Sequence, residues 1–467
     1  MHDSISRNIK RTAAVFLALF VMLFVYISYL HIVEADVLAS HALNRRTAEI
    51  EKRIPRGRIV DKQGKELSFS EKDNEEYYRN YPFGAAFAHI VGYDSPKYGR
   101  AGVESSFNSF LTGLGGPEFR LGPLSQLWRP KSGNTVVMTV DAAIQRQAYR
   151  AMGEQKGAIV VLDPKTGEVL AIVSKPSFDP NSLDEDWQVL SGRTDSPLLN
   201  RAVQGLYPPG SIIKTMIAEA ALTEKTATLK TIFQCEGSYK IGSDYTLPEV
   251  NQKAHGKINL EQALAVSCNV TFGKLALQLG RSGMEKSFER YGFTKAIGSE
   301  FQESASRLPD FSKLTDGELA QVGIGQGPLL TTPLRMAMLA GAYANKGIMM
   351  KPYMVSKIVS PDGATLKQYT PEAWLSPVKA ATNDAVSQMM RTVVSDGTGT
   401  GAYIKGVPVA GKTGTAENAQ GQPHAWFIGY APANNPQIAI AVVVENAGSG
   451  GSVAAPIARQ VILEALR

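Results

Sequence analysis

A serine and a lysine three residues apart, Ser211 and Lys214, lie in the stretch GLYPPGSIIKTMIAEAAL. The prolines and glycine before Ser211 cannot be helix interior, whereas the residues after it can, so Ser211 is predicted at a helix N-terminus. Its backbone N–H can then donate to an oxyanion, and Lys214 lies on the same face as its hydroxyl. A lysine whose pKa is lowered by burial or by a nearby cation can accept the proton of a serine.

Single motifs of this kind are weak, because the chain repeats them elsewhere. Ser376 and Lys379 also have the Ser-x-x-Lys spacing, but Pro377 predicts an ordinary N-cap followed by the first helical residue. Ser106-Phe107-Asn108 repeats the Ser-x-Asn pattern of Ser267-Cys268-Asn269. A motif therefore indicates chemistry only when other motifs accompany it.

The tripeptide Lys-Thr-Gly occurs twice, in two different contexts. Lys165-Thr166-Gly167 joins two apolar, β-branched runs, which predicts the loop of a β-hairpin with no chemistry. Lys412-Thr413-Gly414 lies in GVPVAGKTGTAE, which is typical of a strand. There the lysine adds positive charge, the hydroxyls of Thr413 and Thr415 can bind a carboxylate, and Gly414 lets an extended peptide pair alongside. The alternative for this copy is a glycine-bearing edge strand.

One combination has all three motifs in the order Ser-x-x-Lys, Ser-x-Asn, Lys-Thr-Gly, and it consists of Ser211, Ser267 and Lys412. Ser376 has no Ser-x-Asn between it and Lys412. The ordered set predicts which copy of each motif is chemical.

The elements around these motifs predict an α+β fold. Strand-like runs start near residue 157 and return after about residue 406, whereas the pattern from about 211 to 395 is helical. Short turns between consecutive strands imply antiparallel pairing. We therefore expect one antiparallel sheet, assembled from both ends of the domain and flanked by helices.

An uncharged apolar segment at residues 13–33 is long enough to cross a bilayer. Arg7, Lys10 and Arg11 precede it, and acidic residues follow it, which predicts a short cytoplasmic tail at 1–12 and an extracytoplasmic remainder. The alternative is a cleaved signal peptide, but its apolar core should be shorter and should end in a small-x-small site. A membrane anchor is the favoured interpretation.

The length, the net charge and the number of cysteines limit the possible classes of protein. The chain has 467 residues, enough for two or three domains, and a net charge of +6 without a nucleic-acid-binding motif. An anionic cell envelope is a more natural neighbour than nucleic acid. The two cysteines, Cys235 and Cys268, are too few for a disulfide framework and lack metal-ligand spacing, so no metal or cofactor is expected. A single bond between them is left open.

The ordered motifs resemble those of the penicillin-binding protein and serine β-lactamase superfamily. Three further stretches resemble class B penicillin-binding proteins: RGRIVDKQG (56–64, with Lys62 where arginine is common), AGVESSFNSFL (101–111) and GIGQGPLLTTPLRMA (323–337). The resemblance implies a penicillin-binding transpeptidase fold at 151–467, an N-terminal pedestal at 34–150 and a single transmembrane helix.

The resemblance also implies roles. Ser211 attacks the penultimate D-alanine carbonyl of a peptidoglycan stem peptide, and Lys214 takes its proton. Ser267 and Lys412 help D-alanine to leave, and Asn269 positions the substrate amide. The N–H groups of Ser211 and Thr415 form the oxyanion hole, while Thr413, Gly414 and Thr415 bind the substrate. An amine of a neighbouring stem then resolves the acyl-enzyme.

Four alternatives compete with this transpeptidase: a D,D-carboxypeptidase, a β-lactamase, a β-lactam-sensing receptor and a non-catalytic scaffold. The expected partners are stem peptides, β-lactam antibiotics, the cytoplasmic membrane and, as for class B relatives, a polytopic membrane glycosyltransferase. The sequence does not separate roles in division, elongation or sporulation.

Overall fold

The computed structural model describes residues 2–32, 54–73, 76–113, 132–298, 300–419 and 421–467. The acidic positions 34 and 36 and much of the predicted pedestal at 34–53 and 114–131 lie outside these residues. The thirteen α-helices that we number in this part of the chain are α1 (His2–Ile32), α2 (Ala88–Val91), α3 (Gly102–Ser106), α4 (Asn108–Leu111), α5 (Ala142–Ala151), α6 (Leu183–Gly192), α7 (Lys214–Thr223), α8 (Leu260–Ala265), α9 (Asn269–Arg290), α10 (Asp316–Gly323), α11 (Pro333–Ala344), α12 (Ala380–Ser395) and α13 (Ala454–Ala465).

The strands of the same residues are β1 (Ile59–Val60), β2 (Glu66–Asp73), β3 (Glu76–Asn80), β4 (Asp94–Ser95), β5 (Gly99–Arg100), β6 (Thr135–Met138), β7 (Gly157–Leu162), β8 (Val169–Lys175), β9 (Ile232–Cys235), β10 (Ser238–Ile241), β11 (Tyr245–Pro248), β12 (Gly256–Asn259), β13 (Met349–Met350), β14 (Val355–Val359), β15 (Thr365–Gln368), β16 (Ala373–Leu375), β17 (Ala410–Ala416), β18 (His424–Ala431) and β19 (Ile438–Val444).

A five-stranded antiparallel sheet in the order β17-β18-β19-β7-β8 forms the centre of the large domain. The first and last strands of the domain are neighbours in this sheet, which confirms the α+β prediction. Every residue of β19 is buried, because alternate side chains enter two different cores. Ala441 faces the core that contains α11, and Val442 faces the core that contains α13. Helices thus cover both faces, and β17 is an edge strand.

A second sheet, in the order β15-β14-β6-β1-β2-β3, joins two distant parts of the chain. Strands β1 and β2 form an antiparallel hairpin around Lys62-Gln63-Gly64. Strand β6 pairs parallel to β1 and antiparallel to β14, which comes from residues 355–359. Strands β14 and β15, which lie far along the chain, therefore complete the sheet of the N-terminal region. The domain boundary predicted at residue 150 stays a prediction.

Helix α1 is the membrane-anchor candidate. Within it, Ser6–Leu30 has a mean hydropathy of 2.5 and no buried residue, so it is long and apolar enough to span a membrane. Helix α11 shows how the local sequence sets an element. Thr332 accepts a hydrogen bond from the Arg335 N–H as the N-cap, and Pro333 is the first helical residue.

Candidate active site

Ser211 lies in a 3₁₀ turn, Gly210–Ile213, which leads directly into α7 at Lys214. The helix start predicted here is present, but its first turn is tighter than an α-helix. Gly210 has a positive φ of 57° and donates its N–H to the carbonyl of Gly325 at 2.8 Å. A Cβ on Gly325 would stand 2.0 Å from the Gly210 carbonyl oxygen, so only glycine fits. The loop that contains Gly325 therefore fixes the backbone at Gly210, directly before Ser211.

Lys214 is fully buried and points to the Ser-x-Asn motif. Its Nζ donates to the Ser267 carbonyl at 2.7 Å, to Asn269 Oδ1 at 2.7 Å and to Ser267 Oγ at 3.3 Å. Three oxygen acceptors hold the amine in place. The first two motifs, which are more than 50 residues apart in sequence, thus meet through a single side chain.

The Ser267 loop is a left-handed turn between α8 and α9. Ser267 has a φ of +60°, which is uncommon for a residue with a side chain and is typical of functional sites. Cys268 is the N-cap of α9, because its Sγ accepts from the Thr271 N–H. Asn269 is the first residue of the helix. The turn places the Ser267 hydroxyl and the Asn269 amide oxygen beside the same lysine.

Lys412 lies on the edge strand β17, paired with Ile428 of β18. Its buried Nζ donates to Ser267 Oγ at 2.9 Å and to the Thr413 carbonyl at 2.9 Å. Ser267 Oγ therefore lies within hydrogen-bond distance of two lysine amines. All three predicted motifs converge on this one hydroxyl.

Burial governs the protonation of the two lysines. It lowers the pKa of Lys214 to about 8, against a smaller opposing effect of the nearby Glu249 and Cys268. Burial, and then the charge of Lys214, hold the pKa of Lys412 well below its usual range. The two amines are therefore not both fully protonated near neutral pH. Ser267 can pass a proton from one amine to the other. The sequence analysis offered two causes for a lowered pKa of Lys214, burial or a nearby cation, and burial is the larger.

Gly414 is a close-approach position within the chain itself. A Cβ there would stand 3.0 Å from Trp426 Cβ, 3.1 Å from Ile212 Cγ2 and 3.1 Å from the Pro209 carbonyl oxygen. The glycine thus lets β17 lie against the segment that carries Ser211. Because β17 is at the sheet edge, an extended peptide could pair along its free side.

Two neighbours of the Lys412 motif were not found from sequence. Thr398 Oγ1 lies 2.6 Å from Thr413 Oγ1, and Gln326 Nε2 donates to the Thr415 carbonyl at 3.4 Å. Gln326 lies in the Gly-Gln-Gly stretch that had been noted as a family resemblance. Thr398 lies in a turn rich in Gly and Thr that has no motif, so only the fold reveals it.

The repeated motifs lie in ordinary structural surroundings. Lys165 is exposed in the loop between β7 and β8, as predicted, and donates to Asn435 Oδ1 at 2.9 Å. Asn108 accepts from Arg56 Nη1 at 2.6 Å within the N-terminal region. The prediction for Ser376 was wrong in detail: α12 starts at Ala380 with Lys379 as its N-cap, because the chain leaves β16 through an extended segment first.

Comparison with known families decides the class. The family profile described as the penicillin-binding protein transpeptidase domain matches residues 157–463, and that of the penicillin-binding protein A dimerisation domain matches residues 56–122. The chain belongs to the penicillin-binding protein transpeptidase family.

Named relatives of this penicillin-binding protein support the assignment, and the first of them also agrees in length. It is 33% identical to the peptidoglycan D,D-transpeptidase PbpA of Mycolicibacterium smegmatis, over 98% of this chain and 99% of the relative. It is also 33% identical to the peptidoglycan D,D-transpeptidase MrdA of Acinetobacter baumannii, over 80% of this chain and 64% of that relative.

Solved structures of the family superpose closely. Penicillin-binding protein A of M. tuberculosis, as a ceftriaxone acyl-enzyme complex, has a TM-score of 0.83 at 31% identity, with 89% of this chain and 99% of that chain covered. The D,D-transpeptidase domain of a peptidoglycan glycosyltransferase from Eggerthella lenta has a TM-score of 0.82 at 33% identity, with 89% and 98% covered. The fold and the acyl-transfer class of this penicillin-binding protein follow.

Proposed function

We propose that this protein is a membrane-anchored peptidoglycan D,D-transpeptidase that cross-links stem peptides through an acyl-enzyme on Ser211. The observation that carries the assignment is the convergence of Lys214 and Lys412 on Ser267 Oγ, at 3.3 and 2.9 Å, next to the turn of Ser211. A serine nucleophile needs a base, and a buried lysine with a lowered pKa is one.

The proposed steps use each group in turn. Lys214 in its neutral form accepts the Ser211 proton as Oγ attacks the penultimate D-alanine carbonyl. The N–H groups of Ser211 and Thr415 stabilise the oxyanion, where one donor is typically worth about 10²–10³ in rate. The proton passes through Ser267 and Lys412 to the departing D-alanine. An amine of a second stem then attacks the acyl-enzyme and releases Ser211.

Substrate binding is assigned to β17. The stem peptide lies as an added strand along the free edge at Gly414, and its carboxylate meets the hydroxyls of Thr413 and Thr415. The contact between Thr398 and Thr413 orients the Thr413 hydroxyl for that purpose. A β-lactam takes the place of the D-alanyl-D-alanine end and acylates Ser211, as ceftriaxone acylates the M. tuberculosis relative.

Product analysis tests the proposal. The full-length protein in detergent should be incubated with glycan strands that carry pentapeptide stems, and the products should be digested and weighed by mass spectrometry. Transpeptidation gives cross-linked dimers and free D-alanine. A D,D-carboxypeptidase gives tetrapeptides without dimers, and a β-lactamase or a scaffold gives neither, so each of these results would overturn the proposal. Ser211→Ala is the matched control.

The anchor helix supports a further assignment of place and partner. With Arg7, Lys10 and Arg11 at its start, α1 should keep the N-terminus in the cytoplasm and place the catalytic domain outside. Its apolar face and the N-terminal region are the surfaces assigned to a polytopic membrane glycosyltransferase. Exchange of α1 for an unrelated transmembrane helix should weaken copurification with that enzyme and leave penicillin labelling unchanged. Unaltered copurification would remove α1 from this interface.

A further inference from the structure

The Thr415 carbonyl on the edge strand β17 has a hydrogen-bond partner from outside the sheet. Gln326 Nε2 donates to this oxygen at 3.4 Å, which is long for such a bond. Thr415 is exposed and Gln326 is half-buried, so the contact lies in the open part of the site. The proposed steps use the Thr415 N–H but give the Gln326 amide no role.

The backbone of β17 shows which of its polar groups face the free edge. A Cβ on Gly450 would stand 2.4 Å from the Gly414 carbonyl oxygen and 2.2 Å from the Trp426 carbonyl oxygen, so the Gly414 carbonyl lies on the side of β18. Successive residues of an antiparallel pair alternate in this respect. The N–H and C=O of Thr415 therefore point away from β18. A Cβ on Gly210 would stand 3.0 Å from the Thr415 oxygen, which places that oxygen beside the turn that begins at Gly210.

A donor peptide that is added to this edge pairs with Thr415 through two hydrogen bonds. Under the proposed function, the Thr415 N–H binds the carbonyl oxygen of the penultimate D-alanine. Directly opposed residues of an antiparallel pair can exchange both bonds, so the N–H of the same D-alanine donates to the Thr415 carbonyl. The Gln326 amide occupies this acceptor before the substrate arrives. The side chain and the substrate thus offer N–H groups to the same oxygen.

The loop of Gln326 has a fixed backbone and a weakly held side chain. Gly325 and Gly327, on either side of it, have φ values of +78° and +76°. The Gln326 N–H donates to the Gln321 carbonyl at 2.9 Å, and the Gly210 N–H donates to the Gly325 carbonyl at 2.8 Å. Among the described residues, the long bond to Thr415 is the only hydrogen bond of the Gln326 side chain. The amide can therefore leave Thr415 while its backbone stays in place.

We propose that the Gln326 amide is a placeholder for the substrate N–H: it binds the Thr415 carbonyl in the free enzyme and is displaced by the N–H of the penultimate residue of the acyl donor. Gln326 is thus a specificity-determining residue. A donor with an N–H displaces the amide and gains the second strand bond. A donor without an N–H leaves Gln326 in place, so the carbonyl keeps a partner and the mismatch costs less. This inference rests on the proposed function.

Two β-lactams that differ in one group test the placeholder. Benzylpenicillin has a side-chain N–H in the position of the substrate N–H, and its analogue with an ester oxygen there has none. Gln326→Met keeps the length of the side chain but cannot donate. Benzylpenicillin should acylate this variant faster than the wild type, because no amide has to be displaced. The oxygen analogue should acylate it more slowly, because the Thr415 carbonyl then lacks a donor. The ratio of the two rates should rise by about 10-fold.

Gln321→Met is the matched control, because the Gln321 amide donates to the Tyr245 hydroxyl at 3.0 Å and not to β17. Its ratio of rates should equal that of the wild type. An unchanged ratio in Gln326→Met, with both rates retained or both reduced together, would make Gln326 at most a structural brace. A lower ratio would mean that Gln326 binds the substrate amide itself. Either result would overturn the placeholder.

The two proposals fail in different experiments. The ratio depends on acylation alone, whereas cross-linking also needs the acceptor amine, so a carboxypeptidase product pattern would leave the ratio measurable. The full-length protein in detergent should be used for both, and the acylated peptide should be mapped by mass spectrometry. An acyl group on a residue other than Ser211, or no acylation by either compound, would overturn the placeholder, because Thr415 would then not face a reacting carbonyl.

Discussion

The two Lys-Thr-Gly tripeptides have the same sequence, but one is buried and the other lies in an exposed loop. Lys412 is fully buried on an edge strand and donates to Ser267 Oγ, whereas Lys165 is exposed in a hairpin loop and donates to Asn435. Gly414 is part of a strand that lies against the Ser211 segment, whereas Gly167 has a φ of +82° in a turn. Under the proposed function, the motif becomes chemical through burial and through a shared hydroxyl acceptor, which the tripeptide itself does not encode.

The largest expected effect concerns Ser211, the proposed nucleophile. The comparison of the two tripeptides depends on it. Ser211→Ala should abolish covalent labelling by fluorescent penicillin, because no other hydroxyl can form the acyl-enzyme. Far-UV circular dichroism should be unchanged. Ser376→Ala, at an exposed Ser-x-x-Lys repeat, should label like the wild type. Residual labelling of the Ser211 variant, mapped to another residue, would show that the wrong motif was chosen.

The two lysines provide the direct test of the comparison. Lys412→Ala removes a hydrogen bond to Ser267 and one member of the proton path, so acylation should slow by about 10²–10⁴-fold, as for other lost acid–base groups. Lys165→Ala is an exposed change that should alter stability by no more than about 0.5 kcal/mol and leave acylation unchanged. Stopped-flow or quench measurements of acylation give both rates. Equal damage from the two substitutions would erase the distinction between the copies.

The pH dependence of the acylation rate tests what lowers the pKa of Lys214. Only neutral Lys214 can accept a proton, so the acylation rate of the wild type should rise with pH and level off above about 8. Lys412→Met removes the second amine and keeps the site dry. Since burial is the first cause of the lowered pKa of Lys214, the midpoint should stay near 8 in this variant while the rate falls. A midpoint that moves up by a full unit would mean that the charge of Lys412 lowers that pKa.

The sequence predicted the proposed catalytic residues better than their surroundings. Ser211, Lys214, Ser267 and Lys412 were selected because a nucleophile, its base and a further proton carrier need fixed residue types, and the structure brings Lys214 and Lys412 together at Ser267. The strand of Lys412 and the hairpin at Lys165 were predicted because turn residues and alternation are local signals. Thr398 was missed, because it comes from a loop and meets Thr413 only through tertiary packing.

The smallest effects concern the two glycines, and they separate stability from activity. Gly414→Ala would place a Cβ 3.0–3.1 Å from Trp426, Ile212 and the Pro209 carbonyl, so β17 must move away from the Ser211 turn. Gly167→Ala is worse sterically, since its Cβ would stand 2.4 Å from the Lys351 carbonyl oxygen and its φ is positive. Both should lower the free energy of unfolding, by about 1–3 kcal/mol each.

Only the Gly414 variant should also slow acylation below its melting temperature, because only its β17 lies against the nucleophile. Thermal unfolding and acylation rates, measured on the same samples at a temperature where both variants are folded, make the comparison. A Gly167 variant that acylates as slowly as the Gly414 variant would show that the hairpin loop supports the site from a distance. In that case burial beside Ser267 would no longer distinguish the two tripeptides.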